Sequence, residues 1–183
     1  MKLAGLLLSL TLMIPGVALA YDIGPAVGTT PPKISAPDQT GAVRDLHSIS
    51  GDKGLVLVFF RSAKWCPFCQ AQLMSLKDAA APLKERGYGL AGISYDPVDV
   101  LGQFTQKREI NFTLLSDQGS KSIDAWKLRD AQYPATSFAY GVPEPSIFVL
   151  APNGKVKAKI ALQGYKVRPS NADILAMVDG LKH

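Results

Sequence analysis

Two cysteines, three positions apart, constrain this chain more than any other feature. Cys66 and Cys69 are its only cysteines among 183 residues. An apolar run over residues 55–60 precedes them, and a stretch with helical spacing follows. The pair therefore lies at a strand-to-helix turn, where unpaired N–H groups and the positive end of the helix dipole stabilise a thiolate. A two-residue spacer also lets the second thiol attack a mixed disulfide formed at the first, so the pattern predicts a redox-active pair.

The sequence gives less support to three other functions of such a pair. A zinc site needs four ligands, and the only histidines, His47 and His183, have no ligand spacing. Covalent haem attachment needs a histidine directly after the second cysteine, where this chain has Gln70. A purely structural disulfide of this spacing closes a very small loop and so adds little stability. We expect no metal and no cofactor.

The N-terminal segment has the pattern of a signal peptide. It begins positively at Lys2, is almost wholly apolar over residues 3–12 and carries a small-residue cleavage pattern over residues 18–20. An uncleaved membrane anchor is the alternative, because the apolar stretch approaches the length of a span. We predict a signal peptide at 1–20, one domain at 21–183, and a periplasmic or secreted protein without stable membrane insertion after cleavage.

Charge and cysteine content exclude two classes of protein. The formal net charge is +5, but the lysines and arginines are scattered, so nothing indicates nucleic-acid binding. An exported compartment is oxidising, and two cysteines do not make a disulfide scaffold there. The single pair is better interpreted as one that partner proteins oxidise or reduce.

Hydrophobic periodicity predicts strands and helices in alternation. Strands are predicted at 33–46 (one or two short ones), 55–61, 89–95, 113–115, 146–151 and 155–162, and helices at 66–86, 96–110, 117–128 and 170–181. Pro82 should kink or shorten the first helix, and Asp96 should be the N-cap of the second. The order predicts an α/β fold with a central mixed sheet and helices on both faces.

Four segments resemble the thioredoxin fold, and in detail the alkyl hydroperoxide reductase/thiol-specific antioxidant, or redoxin, family. They are residues 55–60 with 65–69, 92–96, 111–117 and 141–150. The likeness extends over about residues 28–162. The second and third segments resemble peroxiredoxins, and the first and fourth resemble thioredoxin-type reductases. The resemblance implies a thioredoxin fold and thiol chemistry.

The chain departs from the peroxiredoxin pattern around its cysteines. Peroxiredoxins carry Thr or Ser three residues before the peroxidatic cysteine. With Cys69 in that role the position holds Cys66, and with Cys66 in that role it holds Ala63. The distant arginine that precedes a late strand in peroxiredoxins is replaced by Pro145. Neither register keeps the peroxidase pattern.

The resemblance to thioredoxins assigns a substrate surface. Pro145 matches their cis-proline, which receives the backbone of the substrate, and Glu144 precedes it. An ordinary trans proline in a turn is the alternative. Trp65, Pro67 and Phe68 would join these two residues in a rim that holds a partner's peptide.

The positions of the two cysteines within the pair assign the thiol roles. Cys66, nearer the exposed turn, should attack, and Cys69 should resolve. Arg61 and Lys64 are candidates for lowering the pKa of Cys66 by their charge. Phe60 stands where thioredoxins have a buried aspartate. Glu144 is the candidate replacement for that acid, and an exposed loop carboxylate is the alternative interpretation.

The leading hypothesis is an exported thiol–disulfide oxidoreductase that uses Cys66 and Cys69. A peroxiredoxin-like thiol peroxidase is the second hypothesis, and a non-enzymatic binding domain with a static disulfide is the third. The expected partners are a protein disulfide or a peroxide as substrate, and a thiol reductant upstream.

Overall fold

A computed structural model describes residues 22–181 of the chain. The predicted signal peptide lies outside the described residues. The strands are β1 (Ser35–Pro37), β2 (Val43–Asp45), β3 (Gly54–Phe59), β4 (Tyr88–Ser94), β5 (Thr113–Ser116), β6 (Ser146–Leu150) and β7 (Val156–Ala161). The helices are α1 (Pro67–Glu85), α2 (Val98–Arg108), α3 (Lys121–Ala125) and α4 (Asn171–Asp179). None of these helices is both long and apolar enough to cross a membrane.

The central sheet has five strands in the order β5-β4-β3-β6-β7. Strand β3 runs parallel to β4, and β4 runs parallel to β5, whereas β6 and β7 are antiparallel to their neighbours. All six residues of β3 are buried, because helices or loops cover both faces of the sheet at its centre. The predicted mixed sheet and closing hairpin are confirmed.

Alternate residues of β3 face two separate apolar clusters. Val56 and Val58 pack in a cluster with apolar side chains of α1, α2 and α4. Leu55, Leu57 and Phe59 pack in the other cluster with α3 and with β1. This period of two is the ordinary alternation of a strand, and it confirms helices on both faces of the sheet.

Helix boundaries differ from the predicted ones at three places. Helix α1 continues through Pro82, so that proline does not shorten it. The N-cap of α2 is Pro97 rather than Asp96, whose carboxylate has other partners described below. Helix α3 is shorter than predicted, although both carboxylate oxygens of Asp117 accept hydrogen bonds from backbone N–H groups at its start. The hydrogen bonds of Asp96 are tertiary, to residues 33 and 34 positions away, and leave no periodic signal in the sequence, whereas those of Asp117 are local and match its predicted role as a cap.

Candidate active site at the cysteine pair

The cysteine pair lies at the N-terminus of α1, directly beyond the end of β3. Cys66 is the N-cap, with extended backbone, and Pro67 is the first helical residue, where its missing N–H costs nothing. The two sulfurs form a disulfide, with their Cα atoms 5.2 Å apart. The backbone N–H of Cys69 donates to Sγ of Cys66 at 3.3 Å. The helix N-terminus is thus aimed at the Cys66 sulfur, as the sequence predicts.

Both cysteines are buried. Cys66 is 1% exposed and Cys69 is 0% exposed. The two sulfurs therefore differ little in accessibility, because the segment that follows β7 packs over the start of α1. The expectation that Cys69 is the less exposed thiol stays a prediction. A substrate therefore has to displace part of this cover before it can touch either sulfur.

Arg168 belongs to that covering segment, residues 162–169. Its Nη2 lies 3.7 Å from Sγ of Cys69. Burial, and secondarily the positive charge of Arg61, lower the pKa of Arg168 to about 10. The guanidinium is still a cation at neutral pH, so a positive charge sits against the second sulfur of the pair.

Arg61 is buried beside the same turn, and aromatic rings surround it. Its guanidinium carbon lies 5.0 Å from the ring centre of Trp65, 4.9 Å from that of Tyr133 and 4.5 Å from that of Tyr165. Arg61 also donates to the hydroxyl of Tyr133 at 2.5 Å. The ring faces compensate in part for the loss of water around this guanidinium, since Arg61 is only 3% exposed. Its predicted effect on Cys66 stays a prediction.

A buried carboxylate supports the turn that leads to the cysteines. Asp96 accepts hydrogen bonds from Oγ of Ser62 at 2.7 Å, from the backbone N–H of Ala63 at 2.6 Å and from Oγ of Ser94 at 3.0 Å. Burial raises the pKa of Asp96, and these hydrogen bonds oppose that rise. A buried acid therefore supports the turn before the pair, and it comes from the end of β4. The assignment of Glu144 as the replacement acid stays a prediction.

Aromatic side chains form the rim of the site. The indole N–H of Trp65 donates to the hydroxyl of Tyr95 at 2.9 Å, and that hydroxyl donates to the backbone carbonyl of Phe138 at 3.2 Å. The rings of Trp65 and Phe138 meet edge to face at 5.1 Å, and Phe138 is 76% exposed. On the other side, the rings of Phe68 and Tyr165 meet edge to face, with their centroids 5.8 Å apart. A cavity of about 610 Å³ opens beside this rim between Trp65 and Phe138.

Pro145 is a trans proline, since the described residues contain no cis peptide bond. The expectation of a cis-proline is therefore wrong. The backbone N–H of Glu144 donates to the carbonyl of Leu128 at 2.7 Å, which ties this loop to the segment after α3. Because Ser146 pairs with Phe59, Glu144 and Pro145 lie at the same end of the sheet as the cysteines. Their role in substrate binding stays a prediction.

The remaining predicted residues are placed as follows. Pro67 and Phe68 open α1, and both are exposed, as is Lys64. Phe60 is fully buried in the apolar cluster beneath α1. His47 is exposed, and His183 lies outside the described residues. Within residues 22–181, no three histidine, cysteine, aspartate or glutamate side chains are grouped as metal ligands would be.

Comparison with known proteins identifies the family. The model of the AhpC/TSA family matches residues 27–159, most of the described chain. The chain belongs to the AhpC/TSA family. The resemblance inferred from the cysteine motif and three further segments is confirmed.

Curated relatives of this AhpC/TSA protein are peroxiredoxins. It is 40% identical over 91 residues to peroxiredoxin Bcp of Escherichia coli, an alignment that covers 50% of this chain and 57% of that protein. It is 32% identical over 130 residues to the chloroplastic peroxiredoxin Q of Sedum lineare, covering 71% of this chain and 66% of that protein. The alignments thus span between half and two thirds of the relatives' own lengths.

Solved structures agree on the fold. Peroxidoxin BcpB of Mycobacterium tuberculosis superposes with a TM-score of 0.73 at 25% identity, covering 88% of this chain and all of that one. Peroxiredoxin Q of Xanthomonas campestris superposes with a TM-score of 0.67 at 22% identity, covering 80% and 89% of the two chains. The thioredoxin fold predicted from the sequence is confirmed.

Sequence reasoning missed two residues of the site. Arg168 is separated from Cys69 by 99 positions and lies beyond the segment that the family model matches. Asp96 was predicted as a helix cap, although its position directly after a buried strand was a usable signal for a site residue. Both contacts depend on the path of the chain and not on a local pattern.

Proposed function

We propose that this protein is a thiol peroxidase in which Cys66 and Cys69 alternate between dithiol and disulfide. The observation that carries the proposal is a disulfide between the only two cysteines, formed at a helix N-terminus in a member of the AhpC/TSA family. The curated relatives named peroxiredoxin support a peroxide as substrate. The disulfide supports a cycle that uses both thiols.

The first step is attack by the Cys66 thiolate on a hydroperoxide. The S–O bond forms, the O–O bond breaks, and the leaving alkoxide takes a proton from water to become an alcohol. Cys66 is then a sulfenic acid. The N–H of Cys69, 3.3 Å from the Cys66 sulfur, and the dipole of α1 stabilise the thiolate that begins this step.

The second and third steps return the enzyme to its starting state. The Cys69 thiolate attacks the sulfur of the Cys66 sulfenic acid, the disulfide forms, and hydroxide leaves. Two equivalents of an external thiol then reduce the disulfide by exchange. Since both cysteines are buried, each exchange requires the aromatic rim or the segment 162–169 to move aside.

Peroxide consumption by single-cysteine variants tests the proposal. The mature chain, supplied with a dithiol reductant, should consume hydrogen peroxide far faster than free cysteine does. Cys66→Ser should abolish turnover, whereas Cys69→Ser, treated with peroxide after the reductant has been removed, should consume one equivalent and leave a sulfenic acid on Cys66. Turnover no faster than that of free cysteine, or full turnover by Cys66→Ser, would overturn the proposal.

Thiol–disulfide exchange with a protein substrate is the second candidate. The C-x-x-C disulfide next to exposed Phe138 and Phe68 favours it, because such rims hold an apolar peptide. Catalytic reduction of a protein disulfide by a chain that does not consume peroxide would select this candidate. A pair that stays oxidised in mild reductant would instead select the static binding domain.

Export to the periplasm or outside the cell belongs to the same proposal. It rests on the signal-peptide pattern of residues 1–20. Fractionation of cells that express the full chain, with mass spectrometry of its N-terminus, tests it. Cleavage after Ala20 is the expected result, and an intact N-terminus on a cytoplasmic protein would contradict it.

A further inference from the structure

We propose that Arg168 holds the sulfur of Cys69 as a thiolate and thereby makes Cys69 the sulfur that is released when the disulfide opens. This inference rests on the thiol–disulfide cycle of the proposed function, but not on the identity of the oxidant. It assigns a catalytic role to an arginine outside the segment, residues 27–159, that matches the family model.

The contact is asymmetric between the two sulfurs. Nη2 of Arg168 lies 3.7 Å from Sγ of Cys69, whereas Sγ of Cys66 accepts the N–H of Cys69 at 3.3 Å. Each sulfur thus has its own donor. The donor beside Cys66 is a neutral backbone N–H, whereas the donor beside Cys69 is the positively charged guanidinium of Arg168. An opposite charge at this distance favours the ionised form of a thiol.

The buried guanidinium of Arg168 has an N–H group without an acceptor within residues 22–181, so an anion beside it would be stabilised. Nε of Arg168 is buried and has no hydrogen-bond partner among the described residues, and the same holds for Nε of Arg61. Burial and the neighbouring Arg61 disfavour the charge of Arg168, as its lowered pKa shows. A thiolate on Cys69 supplies a negative charge 3.7 Å from Nη2 of Arg168.

The segment that carries Arg168 is anchored on the start of α1. Tyr165 packs against Phe68 at 5.8 Å and lies under the guanidinium of Arg61 at 4.5 Å. Several charged side chains lie around this turn: Arg61 and Lys64 directly before the cysteines, Asp96 after β4, and Lys166 and Arg168 on the covering segment.

The chemistry of each step follows from that placement. In formation of the disulfide, the Cys69 thiolate attacks the sulfenic sulfur of Cys66, the S–S bond forms and hydroxide leaves. In reduction, the thiolate of an external reductant attacks Sγ of Cys66. The Cys66–Cys69 bond breaks, and its electron pair goes to Cys69, whose thiolate Arg168 stabilises. A better leaving thiolate leaves faster, so Arg168 directs the incoming thiol to Cys66.

Single-thiol variants test the proposal independently of turnover. The ionisation midpoint of Cys69 is measured in Cys66→Ser, and that of Cys66 in Cys69→Ser, from the ultraviolet absorbance of the thiolate against pH. Adding Arg168→Gln should raise the midpoint of Cys69 by roughly one to three pH units. It should move the midpoint of Cys66 much less. Lys166→Gln, which removes a positive charge from the same segment, is the matched control and should leave both midpoints nearly unchanged.

Arg168→Lys keeps the charge and guards against a general disruption of the segment. In the Cys66→Ser background, the ionisation midpoint of Cys69 should then lie close to its value with Arg168 present. The circular dichroism spectrum should be unchanged. An unchanged Cys69 midpoint in Arg168→Gln, or equal shifts of both cysteines, would overturn the proposal. So would a Lys166→Gln shift as large as that of Arg168→Gln.

The outcome separates this proposal from the peroxidase proposal. A shifted Cys69 midpoint in a chain that does not consume peroxide would leave the role of Arg168 standing and remove the peroxidase. Rapid peroxide turnover that depends on Cys66, with an unmoved Cys69 midpoint, would do the reverse. In the parent chain, at a pH above both Cys69 midpoints, Arg168→Gln should also shift the equilibrium toward the disulfide by about tenfold for each pH unit by which the midpoint rises.

Discussion

At the scale of single residues, Asp96 is the buried carboxylate that supports the turn before the cysteine pair. One carboxylate joins the end of β4 to Ser62 and Ala63, four and three positions before Cys66. Both carboxylate oxygens of Asp96 accept hydrogen bonds, and its short side chain has few rotamers. The contact therefore holds this turn in one position relative to β4. The turn that aims the cysteine pair therefore depends on this one contact set.

Asp96→Asn should destabilise the protein by about 1–3 kcal/mol. The amide keeps one acceptor and turns an N–H₂ group toward donors that need an oxygen, which leaves a buried group unsatisfied. Urea unfolding measures the loss. Asp52→Asn, at an exposed aspartate, is the control and should stay within about 0.5 kcal/mol of the parent. A loss no larger than that of the control would contradict the structural role.

The pH dependence of the same variant has a definite sign. Because burial raises the pKa of Asp96, the folded state keeps its proton at pH values where the unfolded chain has lost it. The free energy of unfolding of the parent, relative to Asp96→Asn, should therefore fall as pH rises from about 3.9 through the raised pKa. Above that pKa the difference becomes constant. A relative stability that increases over this window would show that the hydrogen bonds outweigh burial.

At the scale of elements, α1 is the helix that carries the chemistry, and it contains Pro82. The proline removes the N–H that would bond to the carbonyl of Asp78, yet the helix runs on to Glu85. Its packing explains this continuity: Leu73, Leu76 and Leu83 are all buried against the sheet. Burial of an apolar face outweighs the local cost of a proline in a helix.

Pro82→Ala should raise the free energy of unfolding by about 1–2 kcal/mol. Removing a proline from a helix interior gains up to about 3 kcal/mol, of which roughly 1 kcal/mol is lost because the unfolded chain becomes more flexible. Denaturant titration with an unchanged m-value measures the gain. Pro152→Ala, in the turn between β6 and β7, is the control for the unfolded-state term and should be neutral or slightly destabilising. A destabilised Pro82→Ala would show that the ring contributes packing that alanine does not replace.

At the scale of the whole molecule, stability comes from the sheet and its two apolar clusters rather than from the disulfide. The bridge joins residues three apart, so it closes a very small loop and constrains the unfolded chain little. The clusters on the two faces of β3 together join all four helices to the sheet. The fold should therefore be able to persist while the bridge opens and closes.

Reduction of the pair should lower the free energy of unfolding by no more than about 2 kcal/mol. The comparison is between the oxidised protein, the protein in excess dithiol, and the Cys66→Ser, Cys69→Ser double variant. All three should unfold cooperatively with similar m-values. A loss of 4 kcal/mol or more on reduction would indicate a structural bridge and favour the binding domain with a static disulfide.

The sequence alone determined the features that arise from short-range patterns. The apolar run of β3, the helical spacing after Cys69 and the alternation of strands and helices are local, and they predicted the mixed sheet with helices on both faces. The cysteine pair at a helix N-terminus followed from the same patterns, because the period of a strand gives way there to that of a helix.

Only the tertiary structure decided what surrounds the sulfurs. Arg168 reaches Cys69 across 99 positions, and Asp96 reaches Ala63 across 33. The burial of both cysteines likewise depends on how the segment after β7 folds back over α1. Such contacts form because packing the two faces of the sheet brings distant loops to one end of it, and no residue spacing within the chain encodes that approach.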